Sequence, residues 1–135
     1  MSLYRIVMCA LCLFVVGATA SLAGDKDYKE LYRRGVEFNK RGEFDEAIRL
    51  YSKAIALKPD SAALFFVRGR AHVQNKHYDD AVSDLGKAIV LKPDYAEAYN
   101  IRGVAYSGKS QKKLAAADFG KACKMGLPDA CRNLK

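Results

Sequence analysis

The apolar residues of this chain follow two patterns. From Ile6 to Val16 they form one short unbroken run. From Tyr28 onward they lie among charged residues at the three- and four-residue intervals that line one face of an α-helix. No stretch alternates apolar and polar residues with period two over a useful length, so no sheet is predicted. Pro59 and Pro93 cannot continue a helix and mark two stops. Gly42, Asn75-Lys76 and Ser110 fall where tight turns are needed. The pattern predicts six long helices, over 28–41, 44–57, 62–75, 78–91, 96–109 and 112–125. Asp60-Ser61 and Asp94 offer side-chain oxygens as N-caps, and Asp94 with Glu97 fits the reciprocal capping arrangement.

The helices repeat. Gly35, Gly69 and Gly103 are spaced by 34 residues, as are Ala47, Ala81 and Ala115, and Ala54, Ala88 and Ala122. Arg34, Arg68 and Arg102 precede the three glycines, and Leu57/Leu91 and Pro59/Pro93 keep the same interval. Gly and Ala let two helix backbones approach closely, while aromatics at helical spacing fill the room between them.

This period and these residues resemble the tetratricopeptide repeat. The first unit reads Leu31, Gly35, Phe38, Ala47, Tyr51, Ala54, Pro59; the second Phe65, Gly69, His72, Ala81, Leu85, Ala88, Pro93; the third Tyr99, Gly103, Tyr106, Ala115, Phe119, Ala122. The resemblance covers about Tyr28 to Met125. It implies an all-α fold: a short right-handed α-solenoid of three helix-turn-helix units over 28–61, 62–95 and 96–127, then a cap over 128–135. Each pair buries its apolar face only against its neighbours, and three units are about the minimum for a stable stack.

The third unit departs from the pattern. Lys112 stands where Phe44 and Tyr78 stand earlier, and Gly126-Leu127-Pro128 replaces the Lys-Pro-Asp ending. Asp129 to Leu134 reads as a shortened helix covering the last pair, with Leu134 as its expected apolar contact. The segment from Lys121 to Leu134 is similar to the ends of Sel-like repeats. That likeness implies a disulfide between Cys123 and Cys131, worth about 2–3 kcal/mol in the chain-entropy account. Cys123 and Cys131, eight residues apart, do not have the Cys-x-x-Cys spacing that would point to a redox role.

The opening run has its own reading. Arg5, the apolar core to Val16 and the small residues of Gly17-Ala18-Thr19-Ala20 form the pattern of a secretory signal peptide over 1–20. Residues 21–27 then read as a linker. Cleavage after Ala20 fits best, with Ala23 as the competing site, and an uncleaved anchor is the alternative. Cys9 and Cys12 leave with the leader, so the exported chain keeps an even pair of cysteines, as suits an oxidising compartment. A periplasmic or extracellular location is expected, without stable membrane insertion after cleavage. The formal charge of +8, or +7 once Arg5 is removed, is scattered along the helices rather than massed. That reads as a solvated surface, and no nucleic-acid partner is expected.

Tetratricopeptide arrays bind extended peptides on the concave face lined by their first helices. By resemblance that face carries Tyr32, Val36, Asn39 and Lys40, then Phe66, Arg70, Val73 and Gln74, then Asn100, Val104 and Ser107. Members that clamp a chaperone's terminal carboxylate need polar or basic groups where Val67 and Ile101 stand, so that ligand is not expected. Arg34, Arg68 and Arg102 read as structural partners of aspartates on adjacent helices. Arg102 with Asp84 is one such pairing, and Leu50 leaves Arg34 without the equivalent acid. His72 reads as packing and His77 as a turn residue; Asp79-Asp80 suits a helix start. No catalytic motif, metal site or cofactor is expected. The chain therefore reads as a module that binds a protein or peptide and scaffolds an envelope complex. The alternative is a structural protein that self-associates by stacking its end faces.

Overall fold

A computed structural model describes residues 24–135, leaving the proposed leader outside the described residues. Helix α1 covers 24–40 of these. It is followed by α2 (Phe44–Leu57), α3 (Ala62–Gln74), α4 (Tyr78–Leu91), α5 (Ala96–Gly108), α6 (Lys112–Lys124) and the short α7 (Pro128–Arg132). No strand occurs among the described residues. The linker expected over 21–27 is corrected in part, because 24–27 are already helical. Asp25, Lys26 and Asp27 include no proline or β-branched residue to halt a helix.

The helices form hairpins α1–α2, α3–α4 and α5–α6, stacked in order with α7 against α6. Each hairpin turns in the same way. Gly42, Lys76 and Ser110, spaced by 34, all adopt positive φ, near 79°, 60° and 60°. The next amide reaches back to a carbonyl five residues earlier: Glu43 to Phe38, His77 to His72, Gln111 to Tyr106. The turn residue itself donates to the carbonyl three before it, as Lys76 does to Val73. These paired bonds are a Schellman closure of the helix end. Gly126 repeats it after α6, with Leu127 donating to Ala122.

Between hairpins, proline sets the break. Helices α2 and α4 end at Leu57 and Leu91, and the next residues, Lys58 and Lys92, leave helical geometry ahead of Pro59 and Pro93. Ser61 then caps α3, accepting from the Leu64 amide at 3.4 Å. Asp94 does not cap α5. The N-cap is Tyr95, without a side-chain bond, and the Asp94 carbonyl instead accepts from the Ala96 amide.

The core explains the repeated residues. A Cβ on Gly35 would lie 2.5 Å from the Tyr51 ring; on Gly69, 2.8 Å from Leu85 Cγ; on Gly103, 2.6 Å from the Phe119 ring. Each large side chain of a second helix thus lies on a bare patch of its partner helix. Ala47, Ala54, Ala81, Ala88 and Ala122 are wholly buried and hold the same helices close. Tyr78 packs its ring on Gly108, joining the second unit to the third. Among the described residues α7 alone follows the third unit, and Lys112 at the equivalent site is exposed.

Two arginines cross the core edge. Arg68 grips Asp84 through Nε and Nη2, both at 2.7 Å, and Arg102 grips Asp118 through the same atoms at 2.7 and 2.8 Å. The pairing lies inside each unit, which corrects the expected Arg102–Asp84 contact. Arg68 Nη1 also donates to Ser52 Oγ on α2 at 2.9 Å. In the next unit Gly86 stands where Ser52 stands, and Arg102 Nη1 finds no such acceptor among the described residues. Arg34, for which Leu50 stands at the position of Asp84 and Asp118, is exposed.

Cys123, in the last turn of α6, is joined to Cys131 on α7, with their Cα atoms 4.8 Å apart. Ala130 is the residue of α7 that is fully buried, whereas Leu134 remains 45% exposed. The expected apolar contact through Leu134 is therefore made by Ala130. A five-residue helix is too short to persist unaided and depends on such ties.

Candidate functional site

The first helices of the three units, α1, α3 and α5, line one face, with Val36 and Phe38 of α1 packed in one cluster with Val67 and Phe66 of α3 and with α3 touching α5 directly. Its centre is aromatic. The Phe66 ring meets Tyr95 at 4.8 Å with a 34° tilt, Arg70 lies over Phe66 at 5.6 Å, and Lys92 Nζ stands 4.6 Å from the Tyr95 centroid. Tyr32 leans over Tyr51, their centroids 6.2 Å apart. Cations over aromatic faces gain about 0.5–1 kcal/mol at exposed sites.

Two polar atoms here lack partners. Asn39 Oδ1 and the Tyr51 hydroxyl are buried without a hydrogen bond. Burial raises the Tyr51 hydroxyl to about 12, with the Arg70 charge opposing the rise and Tyr32 adding to it. Tyr95 is likewise raised, first by burial and then by Glu97 and Tyr32, again against Arg70. Arg70 thus acts on both phenols from between the first and third units. Arg68 and Arg102 hold carboxylates, but Arg70 has no ion-pair partner among the described residues.

The residues expected on this face divide into three sets. Phe66 and Arg70 meet at the centre, Tyr32 leans on Tyr51 and lies close enough to influence Tyr95, and the Asn39 oxygen is buried without a partner. Val36 and Val73 are part-buried and pack against the two core clusters, so they support the floor more than they present it. Lys40, Gln74 and Ser107 are exposed along the rim, and Val104 is half-buried. Asn100 is engaged from the chain's end, its Oδ1 accepting from Asn133 Nδ2 at 3.1 Å.

Tyr51 and Tyr95 were not among the expected site residues. Tyr51 occupies a repeat position that reads as core, and its ring does pack on Gly35. Only its hydroxyl lies without a partner. Tyr95 follows Lys92-Pro93-Asp94 in a break between units, and its equivalent one unit earlier is Ser61. An aromatic at the position where the earlier break has Ser61 was the available signal. Val67 is 6% exposed and Ile101 packs against the core, so neither offers a group to a ligand.

A polar network lies nearby on α3 and α4. Asp84 receives Arg68 and lies 3.8 Å from His72 Nε2, and burial holds His72 below the ordinary imidazole value despite the nearby carboxylates of Asp84 and Asp80.

Stacked helical hairpins with an aromatic, cation-bearing inner face define a repeat protein of the binding type. The sequence pattern described as "TPR repeat" matches residues 35–76 and 69–110. The chain belongs to that family. It is similar to the first TPR domain of Spaghetti (RPAP3) bound to the HSP90 peptide SRMEEVD, at 27% identity over 81% of this chain and 88% of that one, with a TM-score of 0.77. The second TPR domain of human RPAP3, in complex with the HSP70 peptide SGPTIEEVD, is 28% identical over 84% of this chain and 94% of its own, with a TM-score of 0.75. The TPR domain of Arabidopsis OM64 is 25% identical over 76% of this chain and 85% of its own, with a TM-score of 0.74. No curated protein matches the sequence significantly.

Proposed function

We propose that this chain is an exported interaction module that binds an extended segment of another protein in the groove lined by α1, α3 and α5. The carrying observation is Arg70. Its guanidinium lies over Phe66, unpaired by any carboxylate among the described residues, and its charge reaches the Tyr51 and Tyr95 phenols. Such a site suits a segment that brings a carboxylate to Arg70 and an apolar side chain to Tyr32 and Phe66. Peptide-bound RPAP3 domains of the same fold support this mode of use. The apolar, packed Val67 and Ile101 argue for a ligand other than the chaperone tails those relatives hold. Export rests on the leader pattern of residues 1–20 and on the paired Cys123 and Cys131. In that setting the module scaffolds an envelope complex and performs no catalysis.

Capture from an envelope extract tests the proposal, comparing the protein with a folded Phe66→Ala/Arg70→Ala variant. A partner retained by the first and lost by the second supports the groove. Equal retention by both moves binding to another surface.

A second reading draws on a hollow beside α4 lined by Pro59, Phe65, Val82, Val90 and Leu91, where Val90 is 80% exposed. Self-association through this region would appear as a dimer by light scattering at micromolar concentration. A monomer under those conditions would remove it.

A further inference from the structure

The α3–α4 turn gathers a set of donors that the linear sequence hides. His72, His77 and Asp80 each bring one ligand atom within 4.8 Å of the others. The cause is the turn itself. The His77 amide donates to the His72 carbonyl at 2.8 Å across the left-handed Lys76, folding the second histidine back over the first. Asp80 follows three residues later, in the first turn of α4. The two imidazole centroids are 6.0 Å apart.

Each donor is available. Nδ1 of His72 is buried with no hydrogen-bond partner, and its Nε2 stands 3.8 Å from Asp84, beyond hydrogen-bond reach. A buried imidazole left in that state calls for a partner. His77 and Asp80 are exposed and can rotate. The adjacent Asp79 is occupied by Lys109, whereas Asp80 has no ion pair among the described residues.

We propose that His72, His77 and Asp80 form a binding site for a divalent transition-metal ion of the zinc type. Two imidazoles and one carboxylate are the donor classes such ions favour, and three protein ligands with water in the fourth position is a common arrangement. Metal–ligand bonds of about 2.0–2.2 Å require the donors to draw in by about an ångström or more, a movement open to the two exposed side chains. Asp84 lies on the His72 side, where a carboxylate behind a ligating imidazole steadies it. The bound ion would tie α3 to α4 across their turn. This site is separate from the groove and stands whether or not the groove binds a peptide.

The test uses the protein without a histidine tag, with Cys123–Cys131 oxidised and any other thiols alkylated, titrated with Zn2+ alone. His72 and His77 are the chain's two histidines, so its imidazole NMR signals are few enough to follow individually. Saturable one-to-one binding that shifts both imidazoles together is expected. His77→Ala and Asp80→Asn should each weaken binding by at least about tenfold, the lower range for losing even a supporting group around a metal. No binding at millimolar Zn2+, movement of His77 alone, or equal affinity in both folded variants would overturn the proposal.

Discussion

At the scale of single residues, contact rather than recurrence decides what a glycine does. Gly103 and Gly120 lie on facing helices of the same hairpin. A Cβ on Gly103 would meet the Phe119 ring at 2.6 Å, whereas one on Gly120 meets nothing within 4 Å. Gly103→Ala is expected to lower stability by about 1–3 kcal/mol, and Gly120→Ala to raise it by up to about 1 kcal/mol, both measured by urea unfolding. The sequence made the Gly35, Gly69 and Gly103 register legible, yet Gly86 and Gly120 share the same interval without carrying a ring. Tyr51 offers a second check. Its hydroxyl titrates near 12 when folded, above the ordinary phenol, so the folded state favours the protonated form. That contribution is present below about pH 10 and is lost as pH rises towards 12. Tyr51→Phe should therefore lose less stability than the parent across that alkaline window, as followed by circular dichroism. At neutral pH it should be neutral or more stable by about 1 kcal/mol, because the hydroxyl it removes is unpartnered.

At the scale of elements, the helices were legible and several of their connections were not. Apolar spacing, prolines and small turn residues place every long helix within a few residues of its observed bounds. The Arg–Asp pairing was missed for a geometric reason. Asp84 lies sixteen residues after Arg68 and eighteen before Arg102, and linear distance does not distinguish the tight turn within a unit from the proline break between units. Folding the chain back over Lys76 brings the first pair together. A double-mutant cycle on Arg102 and Asp118 should show coupling of about 1–3 kcal/mol, while one on Arg102 and Asp84 should be near zero. The same folding hid the histidine pair: His72 and His77 have no regular helical spacing, and only the Schellman turn superimposes them. At the groove, the repeat pattern pointed to Phe66 and Arg70, but Tyr95 lies outside any helical register and could not be found by periodicity.

At the scale of the whole molecule, the segment around α7 is held by burial of Ala130, the Cys123–Cys131 bond and the Asn133–Asn100 hydrogen bond. Reduction should release α7 before the hairpins open, at a cost of about 2–3 kcal/mol to the region. Hydrogen exchange should then show faster exchange at Ala130 and Cys131 with little change at Ala88. Loss of protection throughout the chain would instead mean that the cap governs the entire stack. The cap was legible as a segment, while its anchor was assigned to the larger Leu134; the close approach of α7 to α6 admits only a small side chain.

Arg68 touches α2 and α4 from its place on α3, holding Ser52 with one nitrogen and Asp84 with two others. At the following boundary, Gly86 removes the first of those holds and leaves the Arg102 nitrogen 3.8 Å from where a side chain would begin. Directional bonds fix an angle, whereas apolar packing resists separation more than it resists sliding. The first joint is keyed both beside the core and at the exposed Asn75–Asp45 pair, whereas the second keeps only the exposed Lys109–Asp79 pair. The inner surface therefore has unequal stiffness along its length: a rigid jaw built by the first two hairpins, and a more compliant one that can adjust its pitch to whatever lies between them.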